Sequence, residues 1–305
     1  MDIQKRRRGR HSYFYLVYSY RDGKKVRKVE RYLGRKLPAS LSQVMEGLGQ
    51  EAITKQWGDE LEQIRVKYSS NLDRMPPVIR EKELNTFAIN FTFESNRIEG
   101  SSLTRRETAS LLDHGITPSN RPLSDVQETL AHRKVFLAAL SPRERLDLPT
   151  FLAWHRSLFQ ETKPDHAGSV RQAQVHIAGS RFVPPAPFEL DLLLGEFFRW
   201  LPRAWKSFHP VVLAALVHLR LVTIHPFADG NGRVTRIAMN FVLYRKGYPM
   251  LDIPYDRRAG YYRALEQAQT QKDEFVFVRW FLRRYLSENK DHGALRATRV
   301  RKSSP

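Results

Sequence analysis

The stretch HPFADGNGRVTR, residues 225–236, brings a histidine, a carboxylate, an amide, two glycines and two arginines into twelve positions. The apolar run 211–224 precedes it, and a second apolar run, 237–243, follows it. A helix that is apolar all round is normally central to its bundle. We therefore predict that two core helices hold this polar stretch rigidly between them, as a preorganised site requires.

The second half of the stretch is suited to binding phosphate. Gly230 and Gly232 flank Asn231, and glycine lets the backbone adopt unusual conformations and lets a ligand come close to the main chain. If the following run is helical, its N-terminal N–H groups favour anions. Arg233 and Arg236 then share a helix face, where two guanidinium groups could clamp neighbouring phosphates.

The first half offers a base and a hard metal ligand. His225 has the only side chain here whose ordinary pKa suits accepting a proton near neutral pH. Asp229 supplies a carboxylate of the kind that holds Mg²⁺ jointly with phosphate oxygens. Together these groups indicate phosphoryl or nucleotidyl transfer.

HPFADGNGR, followed by a second arginine three residues on, resembles the complete motif of the Fic family. The resemblance implies transfer of AMP from ATP to a Ser, Thr or Tyr hydroxyl of a target protein or of the enzyme itself, with release of pyrophosphate and with Mg²⁺ as cofactor. By resemblance, His225 is the general base and Asp229 holds Mg²⁺. The nucleotide-binding residues implied are Gly230, Asn231, Gly232, Arg233 for the β-phosphate and Arg236 for the γ-phosphate.

Earlier in the chain, Ser95-x-x-x-Glu99-Gly100 resembles the inhibitory motif that precedes the core in one class of Fic proteins. The resemblance implies that Glu99 pairs with Arg236 and keeps the γ-phosphate from binding productively. A carboxylate and a phosphate compete for the same guanidinium donors, which makes this physically reasonable. The alternative is a helix-end glutamate without a regulatory role.

A loop-like region separates two predicted helices in the middle of the chain. Two short β segments, at residues 175–177 and 182–183, are predicted to form a hairpin around residues 178–180. By resemblance this hairpin is the flap that pairs with an extended target segment through Val175, His176 and Ile177. The alternative is a structural hairpin covering the core.

The fold class predicted is mainly α, a Fic-type helical bundle over residues 38–288 that includes the inhibitory helix and carries the flap hairpin. Residues 1–37 are predicted to form a basic tail, disordered over residues 1–10, and a small β-hairpin whose turn contains Asp22-Gly23, a strong type I′ signal. Residues 289–305 are predicted to be a basic flexible tail.

Positive charge is concentrated at the two ends of the 305-residue chain, whose formal net charge is +19. Residues 1–36 contain 13 Lys and Arg against three acidic residues, and residues 290–305 contain five against one. Basic ends interleaved with tyrosines could bind nucleic acid, or could simply pack and aid solubility.

The composition limits location and mechanism. The absence of Cys excludes a disulfide scaffold, a thiolate metal site and a cysteine nucleophile. The apolar runs are too short to cross a bilayer, so a cytoplasmic protein with no membrane partner is expected. Two other functions stay open: removal of AMP from a protein by the same site, and DNA-binding regulation by a site that senses nucleotide. The sequence also leaves open whether the protein is a homodimer.

Overall fold

The structure, a computed structural model, describes residues 1–22 and 25–290. This part of the chain contains a three-stranded sheet followed by ten α-helices, which confirms the prediction of a mainly α protein. The helices are α1 Leu41–Arg74, α2 Pro77–Ile98, α3 Arg105–His114, α4 Leu123–Ala139, α5 Leu148–Phe159, α6 Leu190–Ser207, α7 Pro210–Ile224, α8 Asn231–Arg245, α9 Arg258–Gln271 and α10 Glu274–Asn289.

Helices α7 and α8 form the centre of the helical part and enclose residues 225–230 between their ends. Pro210 opens α7 at a position where its missing N–H costs nothing. All but three of the 15 residues of α7 are buried, so it is surrounded by protein on every side. Each fully buried Val or Leu side chain stabilises such a core by about 1.5–3 kcal/mol. The loop between α7 and α8 is therefore anchored at both ends in the most rigid part of the molecule.

The N-terminal sheet has three strands, β1 Asp2–Arg8, β2 His11–Asp22 and β3 Lys25–Gly34, in the antiparallel order β1-β2-β3. The predicted hairpin corresponds to β2 and β3, although its turn at residues 23–24 lies outside the described residues. The prediction of disorder for residues 1–10 is wrong. A strand made of polar and basic residues can form at the edge of a sheet. The backbone of β1 is hydrogen-bonded to β2, while its side chains remain in water.

The middle loop differs from the prediction in its secondary structure. Residues 172–186 contain a turn but no strand in the described structure, so the β segments predicted at 175–177 and 182–183 are wrong. Pro184 and the proline after it have no N–H for a ladder. The carbonyl of Pro184 accepts instead from the Gln174 side chain, Nε2 to O 3.0 Å.

The described chain divides into two compact units, residues 1–64 and the part from Arg65 onward. The division falls inside α1 and not near residue 37, where the sequence suggested a boundary. The predicted flexible tail, beyond residue 290, lies outside the described residues. Among the helices of the described part, none has the length and apolar character needed to cross a membrane.

Three buried histidines lie in the helical unit. His132 bonds to the Thr92 hydroxyl at 3.0 Å through Nδ1, and His218 bonds to the Tyr261 hydroxyl at 2.8 Å through Nε2. Burial is the main cause that lowers their pKa values, to about 4 for His155, to about 3 for His218 and well below the ordinary value for His132.

We predict that the free energy of unfolding falls as the pH drops below about 6.5. Above that pH these three histidines are neutral in both the folded and the unfolded chain. Below it the unfolded chain binds protons that the folded protein does not, until the pH reaches the folded-state pKa values. Over that pH range each histidine therefore lowers the free energy of unfolding by about 1.4 kcal/mol for every pH unit.

Urea unfolding followed by circular dichroism between pH 7 and pH 5 measures this slope. His218→Gln should reduce it by roughly one histidine's share, about 1.4 kcal/mol per pH unit. His176→Gln, at an exposed position, is the matched control and should leave it unchanged. A free energy of unfolding that stays constant over this range would contradict the prediction.

Candidate active site

The loop that joins α7 to α8 is held in one conformation by its own residues. His225 ends α7 with a left-handed backbone, φ 52°, and Gly230 precedes α8 with φ 78°. The buried side chain of Asn231 spans the loop. Its Oδ1 accepts from Phe227 N at 2.9 Å and its Nδ2 donates to Phe227 O at 2.8 Å. Both polar groups of this amide thus shape the loop.

A second set of contacts to the loop comes from His155 of α5. The ring of His155 stacks on Phe227 with centroids 3.7 Å apart, and its Nε2 lies 3.0 Å from the carbonyl of Asp229. Its Nδ1 accepts from Gly168 N at 2.9 Å. Both ring nitrogens of His155 are therefore used inside the protein, which gives this histidine a structural role.

Arg171 supports the start of the loop. Its Nε donates to the carbonyl of His225 at 2.9 Å, and its main-chain N–H donates to the carbonyl of Pro226 at 2.9 Å. The rest of its guanidinium binds the carbonyls of Ala173 and Pro185. One buried arginine therefore ties the segment of the expected flap to the backbone of the expected catalytic histidine, as the sequence suggested for a supporting residue.

His225 is placed as a neutral base. Its Nδ1 lies 3.2 Å from the carbonyl of Val222, which can only accept, so the ring carries its proton on Nδ1. Nε2 then keeps its lone pair. Burial is the main cause that lowers the pKa of His225 below its ordinary value, and the nearby Arg171 lowers it further. The imidazole is therefore neutral at physiological pH and ready to accept a proton.

Asp229 lies at the mouth of the site with its side chain 48% exposed. Its Oδ1 accepts from Gly230 N at 2.5 Å, and its Oδ2 contacts Lys163 Nζ at 2.6 Å. Burial alone would raise the pKa of this carboxyl, but the charges of Arg233 and Lys163 outweigh that effect and lower it. A permanently ionised, accessible carboxylate is the kind of group that can share a Mg²⁺ ion with phosphate oxygens.

Arg233 belongs to a compact cluster of four charges. Its side chain is only 6% exposed and donates to Glu128, and more weakly to Asp229 at 3.3 Å. Lys163 bridges the same two carboxylates, with its Nζ 2.9 Å from Glu128 Oε1. The guanidinium of Arg233 also lies over the ring of Phe159, 4.5 Å from its centroid. Two cations and two carboxylates therefore neutralise one another here.

Arg236 is buried, with 1% of its side chain exposed, and it is held by the end of α2. Its Nη2 donates to Glu99 Oε1 at 2.7 Å and to the carbonyl of Ser95 at 3.0 Å. Its Nε donates to the Ser95 hydroxyl at 3.0 Å. The structure thus brings together Ser95, Glu99 and Arg236, which the sequence linked through the resemblance.

Glu99 and the charge cluster around Arg233 line a cavity of about 200 Å³. Its lining is polar and includes Glu99, Glu128, Lys163, Asp229 and Arg233. Among the described residues no group of three or more His, Cys, Asp or Glu side chains could hold a metal ion by itself. A metal here would have to share Asp229 with a ligand, which is how Mg²⁺ is usually held beside phosphates.

Sequence reasoning missed Glu128 and Lys163. Glu128 lies in α4 and Lys163 lies just beyond α5, and neither position carries a recognisable local pattern. They reach the site only because those helices pack beside α8. Of the adjacent pair Tyr261 and Tyr262, the first is fully buried against His218, while the second is 45% exposed.

The comparisons with known proteins agree with the motif. Residues 145–243 match the model of the Fic/DOC family. The protein adenylyltransferase Fic of Drosophila grimshawi is 37% identical over 192 residues, which is 62% of this chain and 39% of that protein. The chain therefore spans about two fifths of the length of the curated relatives that it matches.

Solved structures share the fold. A Fic domain-containing signalling protein from Bacteroides thetaiotaomicron superposes with a TM-score of 0.68 at 27% identity, over 76% of this chain and 94% of that one. Fic-1 from C. elegans superposes with a TM-score of 0.65 at 22% identity, over 83% of this chain and 74% of that one. The resemblance read from the motif is confirmed at the level of the domain.

We predict that Gly230→Ala destabilises the protein by clearly more than Gly115→Ala. Both glycines have a left-handed backbone, φ 78° and φ 69°, so both alanines bear a conformational cost of about 1–2 kcal/mol. A Cβ at Gly115 would meet nothing within 4 Å, whereas a Cβ at Gly230 would overlap the ring of Phe159. Urea unfolding of both variants separates the backbone cost from the overlap. Equal losses would show that the loop can shift without penalty.

Proposed function

We propose that this chain, which contains a Fic domain over residues 145–243, is a protein adenylyltransferase held in an inhibited state. It would transfer AMP from ATP to a Ser, Thr or Tyr hydroxyl of a target protein, or of itself, and release pyrophosphate. The observation that carries the proposal is the 3.2 Å contact between His225 Nδ1 and the carbonyl of Val222, which favours a proton on Nδ1 and leaves Nε2 able to act as the base. The name of its Drosophila relatives supports the same activity.

In the reaction, His225 Nε2 would take the proton of the target hydroxyl. The hydroxyl oxygen forms a bond to the α-phosphorus while the bond between that phosphorus and the oxygen leading to the β-phosphate breaks. Pyrophosphate leaves with the electron pair of that bond. Burial lowers the pKa of His225, so the base stays unprotonated at neutral pH and need not lose a proton first.

The phosphates would be held by the N-terminal end of α8. The N–H groups of Gly230 and Gly232 lie at this helix end, where the dipole favours anions, and the Asn231 amide fixes their position. Arg233 would bind the β-phosphate and Arg236 the γ-phosphate. Asp229 would hold Mg²⁺, which when bound neutralises charge that builds on the phosphates.

The ion pair between Glu99 and Arg236 is the proposed cause of inhibition. Arg236 donates to Glu99 at 2.7 Å and to the hydroxyl and carbonyl of Ser95 at 3.0 Å, so three of its five N–H groups are used before a nucleotide arrives. A γ-phosphate would compete with Glu99 for this guanidinium. ATP bound without that contact would present its α-phosphate in the wrong place for attack, and a small misplacement is costly in rate.

The segment Val175, His176 and Ile177 is proposed to dock the target. It forms no ladder within the described structure, and it is linked through Arg171 to the backbone of His225. An extended target segment could pair with this main chain and bring its hydroxyl to the base. Main-chain pairing tolerates varied target sequences.

We predict that Glu99→Gly raises self-modification by ATP and Mg²⁺ at least tenfold and also lowers stability. The first effect follows because Arg236 becomes available to the γ-phosphate. The second follows because a buried guanidinium loses a charged hydrogen-bond partner, a loss of about 1–3 kcal/mol. Mass spectrometry of the intact and digested protein measures the first, and urea unfolding measures the second.

Glu99→Gln should give an intermediate increase, since an amide still accepts a hydrogen bond but does not compete as a charge. Glu81→Gln, at an exposed position on the same helix α2, is the matched control and should have no effect. An addition other than AMP would refute adenylyl transfer. AMP transfer that is equal in the original chain and in Glu99→Gly would refute inhibition alone.

We also predict that His225→Ala, made together with Glu99→Gly, abolishes AMP transfer but leaves ATP binding within about threefold. The reason is that the base acts on the target hydroxyl and not on the nucleotide, and loss of such a base typically costs a factor of about 10²–10⁴. Isothermal titration with ATP and the mass-spectrometric assay are the two measurements. Retained transfer would remove His225 from the role of base.

The reverse chemistry, release of AMP from a modified protein, is a second candidate. The observation that favours it is that Glu99 lines the same cavity as Asp229 and retains 24% exposure, so its carboxylate could orient a water molecule. Incubating an AMP-modified hydroxyl protein with the original chain and with Glu99→Gly decides the matter. Release that depends on Glu99 would assign the glutamate to hydrolysis as well as to inhibition.

A further inference from the structure

The N-terminal sheet carries a cluster of tyrosines on one face. The rings of Tyr13 and Tyr15 each pack against Tyr32, with centroids 6.1 Å and 5.3 Å apart. Tyr15 and Tyr32 are cross-strand partners, so they lie on the same face of the sheet. Tyr32 remains 54% exposed, which is unusual for an aromatic side chain that only serves a core.

Two arginines extend this cluster. The guanidinium of Arg6 lies 4.4 Å from the centroid of the Tyr15 ring, and that of Arg35 lies 5.7 Å from the centroid of Tyr13. Arg6 is also paired with Glu30 at 2.7 Å, which fixes its plane over the ring. Three neighbouring rings are therefore flanked by a guanidinium group at each end. We call this surface the tyrosine–arginine face: Arg6, Tyr13, Tyr15, Tyr32 and Arg35.

The edge strand beside this face is strongly basic. All seven residues of β1 are exposed, and four consecutive ones, residues 5–8, are Lys or Arg. Positive side chains on an edge strand are a common protection against unwanted strand pairing. That explanation accounts for the charges but not for the exposed rings next to them, because exposed aromatic groups would favour association.

The opposite face of the sheet is already used. Leu16 and Tyr18, which alternate with Tyr15 along β2, are 0% and 1% exposed. On that side Arg31 pairs with Glu51 of α1 at 2.9 Å, and Gln56 of α1 donates to the carbonyl of Arg21 at 3.2 Å. Helix α1 thus covers one face, and the tyrosine–arginine face lies on the other.

We propose that the tyrosine–arginine face, together with β1, binds single-stranded nucleic acid without sequence preference. Unpaired bases stack on Tyr32 and on the guanidinium planes, and the backbone phosphates lie along the basic residues of β1. A duplex hides its base faces, so it could use the charges but not the rings. This property is separate from adenylyl transfer and does not rest on it.

Fluorescence anisotropy of the full chain tests the proposal. The probes are fluorescein-labelled 12-nucleotide oligo-U RNA, oligo-dT DNA and a 12-base-pair DNA duplex. Both single strands should bind more tightly than the duplex, and the logarithm of the affinity should fall linearly with the logarithm of salt concentration. A difference between the RNA and DNA arms identifies which single strand is preferred.

Paired variants separate stacking from charge. Tyr32→Ala should weaken single-strand binding about tenfold, which is typical for loss of one stacked base, whereas Tyr32→Phe should retain it. Arg7→Glu with Arg8→Glu, both in β1, should flatten the salt dependence by about 1.4, since each phosphate contact contributes roughly 0.7. Arg203→Glu with Lys206→Glu makes the same charge change at exposed positions on α6 and should leave the slope unchanged.

Five results would overturn the proposal. The first is no single-strand binding at about 50 mM salt, where phosphate contacts are strong. The second is duplex binding as tight as single-strand binding, and the third is affinity that survives Tyr32→Ala while thermal melting shows a folded variant. The fourth is an equal loss in the α6 control, which would make net charge, and not this face, the cause. The fifth is displacement of the probe by vesicles that contain anionic lipid, when that displacement depends on the β1 charges and is unchanged by Tyr32→Ala. That result would assign the surface to membranes.

Discussion

The contact between Glu99 and Arg236 is the constraint on which the rest of the site depends. It joins the end of α2 to the second turn of α8 across a sequence separation of 137 residues, and it buries a guanidinium that would otherwise need water or phosphate. The contact also constrains Gly232, since a Cβ there would overlap the carboxylate of Glu99. One glycine therefore serves two purposes. It leaves the N-terminal helix end open, and it leaves room for the carboxylate that we propose to compete with phosphate.

The loop between α7 and α8 is preorganised by three side chains that bind its main chain. Asn231 closes it from within, His155 supports it from below and Arg171 holds its start. Every one of these contacts reaches the main chain, so the side chains of His225 and Asp229 remain available. A site whose backbone is fixed in this way does not have to order itself when a substrate binds, which is the physical basis of preorganisation.

Charge balance explains why the buried cations of the site are stable without a ligand. Arg233 and Lys163 lie between the carboxylates of Glu128 and Asp229, so the cluster is neutral overall. A polyphosphate that enters must replace carboxylate partners and does not simply fill an empty site. The proposed control by Glu99 follows the same rule at Arg236. Binding is then an exchange of anions, which makes the site sensitive to the geometry of the arriving phosphates.

Much of this protein follows from local sequence. The apolar run of α7, the polar stretch at 225–236 and the glycines around Asn231 indicate two buried helices and an anion-binding turn, because periodicity and backbone freedom act over a few residues. The motif also led, by resemblance, to Ser95 and Glu99. Where the expectations were wrong, at residues 1–10 and in the segment at 175–183, the outcome depended on strand pairing: β1 pairs with β2, whereas the segment at 175–183 forms no strand in the described structure.

Only the tertiary structure decided which side chains meet. Glu128 and Lys163 carry no local signal, and they reach Arg233 and Asp229 because the helices α4 and α5 pack beside α8. The tautomer inferred for His225 likewise depends on the carbonyl of Val222, one helical turn earlier. That carbonyl lies near the ring because His225 has a left-handed backbone, which the sequence alone does not specify. Local patterns determine which elements form and which chemistry is available. Contacts between residues distant in sequence depend on how the whole core packs, and that is a property of the folded chain.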